Sequence, residues 1–286
     1  MFYAILAYTA WGFIPVYLKL LGHLPITQVL VHRSLWAFLF FSLVIWITSR
    51  RMTHFSEITK RQRLSAVTSA FLLTANWTIY LYAVNTNQVV EGSLGYFINP
   101  LVNFLLGFVF LGERLPRLRQ YAVGLATLGV LWLTFQAGEF PWIGVSLGLS
   151  FGFYGMIRKV NPLPASSALQ IEMFLVFFIM LGGFYFFQGL GASPLPLNGR
   201  DALLLAGSGL ATGLPLFWFN KGLGKTPLNV MGFLQFIAPT LQFLFGVFLY
   251  GEAFPFKKFI GFLLIWGGVM LLILELIFNP KRRTDR

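Results

Sequence analysis

The stretch Asn99-Pro100-Leu101-Val102-Asn103-Phe104-Leu105-Leu106-Gly107, followed by Gly112-Glu113 and Pro116, returns 139 residues later as Ala238-Pro239-Thr240-Leu241-Gln242-Phe243-Leu244-Phe245-Gly246, followed by Gly251-Glu252 and Pro255. The same shift lays Pro25 on Pro164 and Gly129 on Gly268 without a gap. Shared apolar composition would align leucines. It would not hold prolines, glycines and an acid in one register, so the chain reads as a duplicated unit.

The surroundings of this echo set its solvent. Hydrophobic residues make up 57% of the chain, mean hydropathy is +0.75 and only 10% of residues are charged, too few to clothe a water-soluble globule. Apolar runs of about 20 residues recur, each long enough to cross a ~30 Å hydrocarbon core. They fall near 2–22, 26–49, 64–85, 92–111, 120–137, 142–158, 166–190, 202–220, 229–250 and 259–278. The expected fold is an all-α membrane protein of ten transmembrane helices, with a first repeat over 1–137, a second over 138–280 and a basic cytoplasmic tail at 281–286. Because five is odd, the second copy must enter the bilayer inverted relative to the first. The first run has no basic leader, contains Pro15 and continues into Lys19, so it is expected to stay as a helix rather than be cleaved as a signal peptide.

A net charge of +12 invites nucleic acid as a partner, but the basic residues gather in alternate loops. With the N-terminus inside, Arg50, Arg51, Lys60, Arg61, Arg63, Arg114, Arg117, Arg119, Arg158, Lys159, Lys221, Lys225, Lys281, Arg282, Arg283 and Arg286 fall on the cytoplasmic side. Only Arg200, Lys257 and Lys258 fall opposite. The positive-inside rule then predicts a cell (inner) membrane protein with both termini cytoplasmic, and no basic patch interleaved with aromatics points to nucleic acid.

Polar side chains inside spans are costly and mark interiors or pathways. Tyr96, Asn99 and Asn103 share one face of span 4 beside Pro100, while Gln235, Pro239 and Gln242 repeat the device in span 9. The shift superposes Tyr96 on Gln235 and Asn103 on Gln242. Asn76 and Tyr80 in span 3, Trp11 in span 1 and Tyr154 in span 6 complete the expected substrate cavity, with helix kinks at Pro15, Pro100, Pro215 and Pro239. Walls of aromatics and amides suit amphipathic, neutral or zwitterionic solutes better than bare ions.

Arg33 and Glu172 are the two most costly residues in the spans, and the repeat superposes them. Each lies eight residues past its matching proline, roughly 12 Å deep from opposite sides, so they are expected to pair or to approach the same cavity. Two roles stay open for them: proton loading at Glu172 with anion binding at Arg33, or a static ion pair between spans 2 and 7. His32 reads as a packed neighbour, Lys19 and Glu275 as snorkelling side chains and Glu91 as a helix-start acid.

Gly144, Gly148 and Gly152, and Gly209 and Gly213, stand four apart and predict close helix packing. Gly144-Val145-Ser146-Leu147-Gly148 also fits the serine-hydrolase elbow pattern, but no strand precedes it and His23, His32 and His54 all come earlier in the chain. With no cysteine, no H-E-x-x-H and no phosphate loop, neither an enzyme activity, a bound metal nor a cofactor is expected.

Taken in order, several segments resemble the EamA-domain drug/metabolite transporters, and within them the RarD group. They are Trp11-Gly12-Phe13-Ile14-Pro15-Val16-Tyr17-Leu18-Lys19, His32-Arg33-Ser34-Leu35-Trp36, Asn76-Trp77, Ser93 to Pro100 with Gly112-Glu113-Arg114-Leu115, Tyr154 to Lys159, and Gly232 to Thr240. The resemblance implies ten helices, a cavity formed mainly by helices 1, 3, 4, 6, 8 and 9 with 5 and 10 behind, and a secondary exporter or permease of small metabolites, with relatives handling amino acids and their analogues. The expected partners are therefore a small-molecule solute, the lipid bilayer and protons as a coupling ion, with a homodimer left open. A non-transporting receptor or scaffold is the alternative.

Overall fold

The computed structural model describes residues 1–49, 55–85, 89–113, 116–137, 142–161, 163–195, 198–249 and 256–278. The expected tail 281–286, the loop arginines Arg50, Arg51 and Arg114, the second Gly251-Glu252 and the side chains of Glu91 and Glu275 lie outside the described residues.

Every described element is helical: α1 Phe2–Lys19, α2 Ile26–Ser49, α3 Lys60–Asn85, α4 Val89–Leu111, α5 Arg117–Ala137, α6 Trp142–Val160, α7 Ala165–Gln188, α8 Gly199–Leu223, α9 Leu228–Gln235, α10 Ile237–Leu244, a π-helical turn Phe245–Leu249 and α11 Phe256–Phe278. Local chemistry sets the boundaries. Thr59 and Gln62 exchange side-chain and backbone hydrogen bonds as a capping box for α3. Asn198 caps α8 by accepting from the Asp201 N–H at 2.8 Å. Pro164 and Pro227 precede α7 and α9, where a missing N–H costs nothing.

One expectation is corrected. The run at 229–250 is not a single helix but breaks at Phe236. Pro239 has no N–H to give the Gln235 carbonyl four residues back, so the ladder fails there. The helices run on through Pro15, Pro100 and Pro215 without interruption.

Ile26–Ile47, Ala165–Gln188 and Gly199–Leu223 are long and apolar enough to cross a membrane, and Gly95–Leu111, Val230–Gln242 and Phe259–Leu271 are shorter apolar helices. Phe135, Phe186, Leu203 and Phe248 point outward while Glu172, Asn99, Asn103, Gln235 and Asn220 are buried. Apolar outside and polar inside is the distribution that lipid imposes, and the chain is a multi-pass membrane protein.

The helices pack as α2 on α7 and α8, α4 on α6 and α9, α1 on α8 and α10, α3 on α6 and α7, and α5 on α11. The main core, with Tyr8, Phe41, Leu73, Tyr154, Met173 and Phe219, lies between the first set, while α5 and α11 join a second cluster around Phe97, Phe104, Phe233 and Ile265. Glycines permit the closest approaches. A Cβ on Gly148 or Gly152 of α6 would sit 2.9 Å from Ile98 or 2.6 Å from Val102 of α4, and one on Gly209 of α8 would sit 2.4 Å from the Trp36 Cβ of α2.

Candidate functional site

Between α1, α2, α3, α4, α6, α8, α9 and α10 lies a central cavity of about 70 Å³, room for about five water molecules. Tyr8, Leu216 and Gln235 lie near the middles of their helical spans. From there the lining climbs through Trp11, Arg33, Asn76, Trp77, Tyr80, Tyr96, Asn99 and Gln242 towards Leu18. The lining thus reaches from mid-span towards the end of the bundle remote from Phe2, called here the far end.

α2 presents Arg33 to this space. Its Nε donates to Thr212 Oγ1 on α8, and the guanidinium stacks 4.4 Å above the Trp77 ring on α3. Tyr80 and Tyr96 meet edge to face at 5.5 Å, both within electrostatic reach of Arg33. Trp11 packs against Phe151 at 5.5 Å and Tyr8 at 5.6 Å. The amides divide between scaffolding and lining. Asn76 Nδ2 donates to the Leu147 carbonyl and Ser150 Oγ at 3.0 Å, and Gln242 Nε2 donates to the Trp11 carbonyl at 3.2 Å. By contrast, the Asn99 Oδ1 and the Tyr8 hydroxyl are buried and have no hydrogen-bond partner among the described residues, the condition that a water or a hydrogen-bonding solute would relieve.

Of the residues singled out in the sequence, Trp11, Asn76, Tyr80, Tyr96, Asn99, Gln235, Gln242 and Arg33 line one cavity. Asn103 does not line it; it stands behind Gln235, donating to its Oε1 at 3.0 Å. Tyr154 is fully buried beneath the floor and faces other partners. Tyr8, one turn before Trp11, was missed, and Trp77 and Phe151, which stand beside Asn76 and near Tyr154, were not carried into the expected cavity. Aromatic spacing alone does not separate lining from core.

Arg33 and Glu172 do not pair. Glu172 faces Arg158, with Nε 3.5 Å from Oε1, and accepts from the Tyr154 hydroxyl at 3.3 Å. Asn220 closes the ring, accepting from Arg158 Nε at 2.9 Å and donating to the Tyr154 hydroxyl at 2.9 Å. Depth along the membrane normal brought Arg33 and Glu172 together on paper. Their helices do touch, but Arg33 leaves α2 towards α3 and α8 while Glu172 leaves α7 towards α6. Arg158, counted among the loop cations, is instead buried. It lies four residues after Tyr154 on the same face of α6, and that spacing was the available signal.

Both ends of the cavity are tied. At the far end His23 meets Asp201 at 2.9 Å, and Gln28 and His32 reach the Pro194 carbonyl at 3.0 and 2.8 Å, strapping the segment after α7 across α2. At the near end Gly112, with φ +64°, turns the chain so that Glu113 folds back. Its Oε1 accepts from the Leu228 N–H at 2.7 Å, capping α9, with Lys159 3.8 Å away. Glu113→Ala is expected to cost about 1–2 kcal/mol, and Glu113→Gln, which keeps a capping oxygen, distinctly less. Thermal unfolding of the two purified variants checks the order. Among the described residues no group of three His, Cys, Asp or Glu could hold a metal ion.

The EamA-like transporter family model matches this chain twice, over residues 1–135 and 141–274. The uncharacterized transporter YojE of Bacillus subtilis is 38% identical over 94% of this chain and 91% of its own. Protein RarD of Escherichia coli is 36% identical over 98% and 96%. A crystal structure only 17% identical in sequence superposes with a TM-score of 0.72 over 100% of this chain and 97% of that one, showing a common fold. With two family matches covering nearly its whole length, the chain belongs to the EamA-like transporter family.

Proposed function

We propose that this chain is a secondary transporter that exports small amphipathic or zwitterionic metabolites across the cell (inner) membrane by alternating access. The observation that carries the reading is the cavity itself. It sits among eight helices drawn from both halves of the chain, holds a cation and unsatisfied polar atoms, and would be a liability in a scaffold. Relatives named as transporters support the same reading.

In this proposal residues 1–137 and 138–280 are two five-helix repeats inverted in the bilayer, with a basic tail at 281–286 and both termini cytoplasmic. The helix pairings favour it. α4 on α6 is answered by α9 and α10 on α1, α2 on α8 by α7 on α3, and α1 on α8 by α6 on α3, so exchanging the repeats converts each pairing into its counterpart. The positive-inside bias makes the near end cytoplasmic, and the present conformation is then one with its free space on the outer side. Beneath the floor, the Arg158–Glu172–Tyr154–Asn220 ring and the Glu113 cap form the closed inner gate. Rocking one repeat against the other would open that gate while the far-end strap closes. Glu172 acts as a gate element here, held away from the solute, and no proton-loading step is assigned to it.

The test is flux in proteoliposomes. Replacing Tyr96, Asn99, Gln235 and Gln242 singly by apolar residues should abolish or sharply reduce solute flux while thermal stability stays within about 1 kcal/mol of the parent. Unchanged flux in all four would remove the cavity from the transport path.

A further inference from the structure

Resting on the transporter reading above, we propose that the cavity selects a compact organic monoanion, a monocarboxylate with a flat apolar body, held by its carboxylate on Arg33.

Among the described residues that line the cavity, Arg33 carries the sole formal charge, and none is an aspartate or glutamate. Its partners are neutral: the Thr212 hydroxyl at Nε and the face of Trp77. Neither terminal nitrogen has a hydrogen-bond partner among the described residues, so four N–H donors remain in the planar fork that matches a carboxylate. Arg158, which is buried in the bundle, shows what a structural cation looks like in this fold, with a carboxylate 3.5 Å away and an amide oxygen at 2.9 Å. Arg33 has the desolvation without the counter-charge, and an incoming anion supplies it.

The walls narrow the class. Trp77, Trp11, Phe151 and Tyr8 offer ring faces and edges around the same space, which suits a flat apolar body. A single cation neutralises one negative charge, so a dianion would leave an unpaired charge in a confined site. A cationic amine would meet Arg33 with no acid to receive it. A zwitterion adds an ammonium group that can donate to amide oxygens such as Asn99 Oδ1 and lie over the rings, but that finds no carboxylate among the described lining to balance its charge. The void is about 70 Å³ in this conformation, less than a benzene-sized ring occupies, so a flat ring enters only as the cavity widens and a bulky amphiphile would need far more room.

The test uses purified full-length protein and four probes that share a phenyl ring, benzoate, benzamide, benzylamine and phenylalanine, at matched ionic strength. Benzoate is expected to raise the melting temperature in a saturable way, with benzamide and benzylamine giving no shift and phenylalanine a smaller one. Arg33→Gln should weaken benzoate binding by roughly tenfold to a hundredfold, and Arg33→Lys, which keeps the charge without the fork, by less. Equal or greater stabilisation by benzylamine or benzamide overturns the proposal, as does a benzoate shift that survives in Arg33→Gln. Should Arg33→Gln not fold, the ranking of the four probes on the unsubstituted protein decides alone. Uptake of labelled probes into proteoliposomes separates the two readings. Arginine-dependent benzoate binding without flux of any probe removes the transport reading and leaves this one standing. Flux of benzylamine without benzoate binding does the reverse.

Discussion

Arg158→Leu is expected to destabilise the protein by about 3–5 kcal/mol, among the largest effects of any single substitution in the bundle. The reason is what it leaves behind. Glu172 has no accessible surface, and its carboxylate lies 3.5 Å from Arg158 Nε and accepts from the Tyr154 hydroxyl at 3.3 Å. Without the guanidinium a carboxylate would be stranded in the protein interior, where water cannot reach it. Asn220 would also lose the donor to its Oδ1. The pair is nevertheless not expected to be worth that much in itself, because desolvating two charges consumes most of their attraction. The double substitution Arg158→Leu with Glu172→Leu should therefore recover most of the loss. Denaturation of the four proteins of this cycle in one detergent measures both numbers. A double variant as unstable as Arg158→Leu alone would mean that the ring is held by its hydrogen bonds rather than by charge compensation. If the ring is the inner gate proposed above, the recovered double variant is also the one in which that gate should be weakened without loss of the fold.

The second large effect is at Gly209. An alanine Cβ there would stand 2.4 Å from the Trp36 Cβ and 2.5 Å from the Trp36 backbone carbon. A side-chain tip can swing away, but backbone cannot, so α8 and α2 must separate along the whole seam. Gly209→Val is expected to cost at least about 3 kcal/mol, the upper end of the range for overpacking. It should also shift Thr212, three residues on, away from Arg33. Gly182 and Gly183 of α7 are the controls, because a Cβ at either meets nothing within 4 Å. Alanine at those two positions should be neutral or stabilising by up to about 1 kcal/mol through helix propensity. Yield of folded protein and melting temperature distinguish the outcomes. A Gly209→Val variant as stable as Gly182→Ala would show that the α2–α8 contact yields at no cost.

Much of this protein could be read before any coordinates. Nine of the ten apolar runs are uninterrupted helices, because a segment that must satisfy its own backbone in lipid has few alternatives. The exception, 229–250, contained Pro239, whose consequence for the Gln235 carbonyl was visible in principle but not its outcome. Pro100 stands at the matching position and leaves α4 unbroken. A proline always removes one bond of the ladder; whether the helix also breaks there depends on its neighbours. The seams at Gly148 and Gly209 were also legible, since small residues four apart have few other uses.

The duplication that opened the case shows where such reading stops. Its register put Tyr96 over Gln235 and Asn103 over Gln242, yet Asn103 stands behind Gln235 rather than beside the space. It put Arg33 over Glu172, yet each found other company. Sequence period assigns a residue to a helix face and an approximate depth, which was enough to name the segments and the polar residues that needed partners. Which neighbouring helix each face meets depends on lateral packing, and the same one-dimensional pattern fits several partners at equal depth. Only the tertiary structure could choose Arg158 for Glu172 and leave Arg33 with a hydroxyl, a ring and an open cavity.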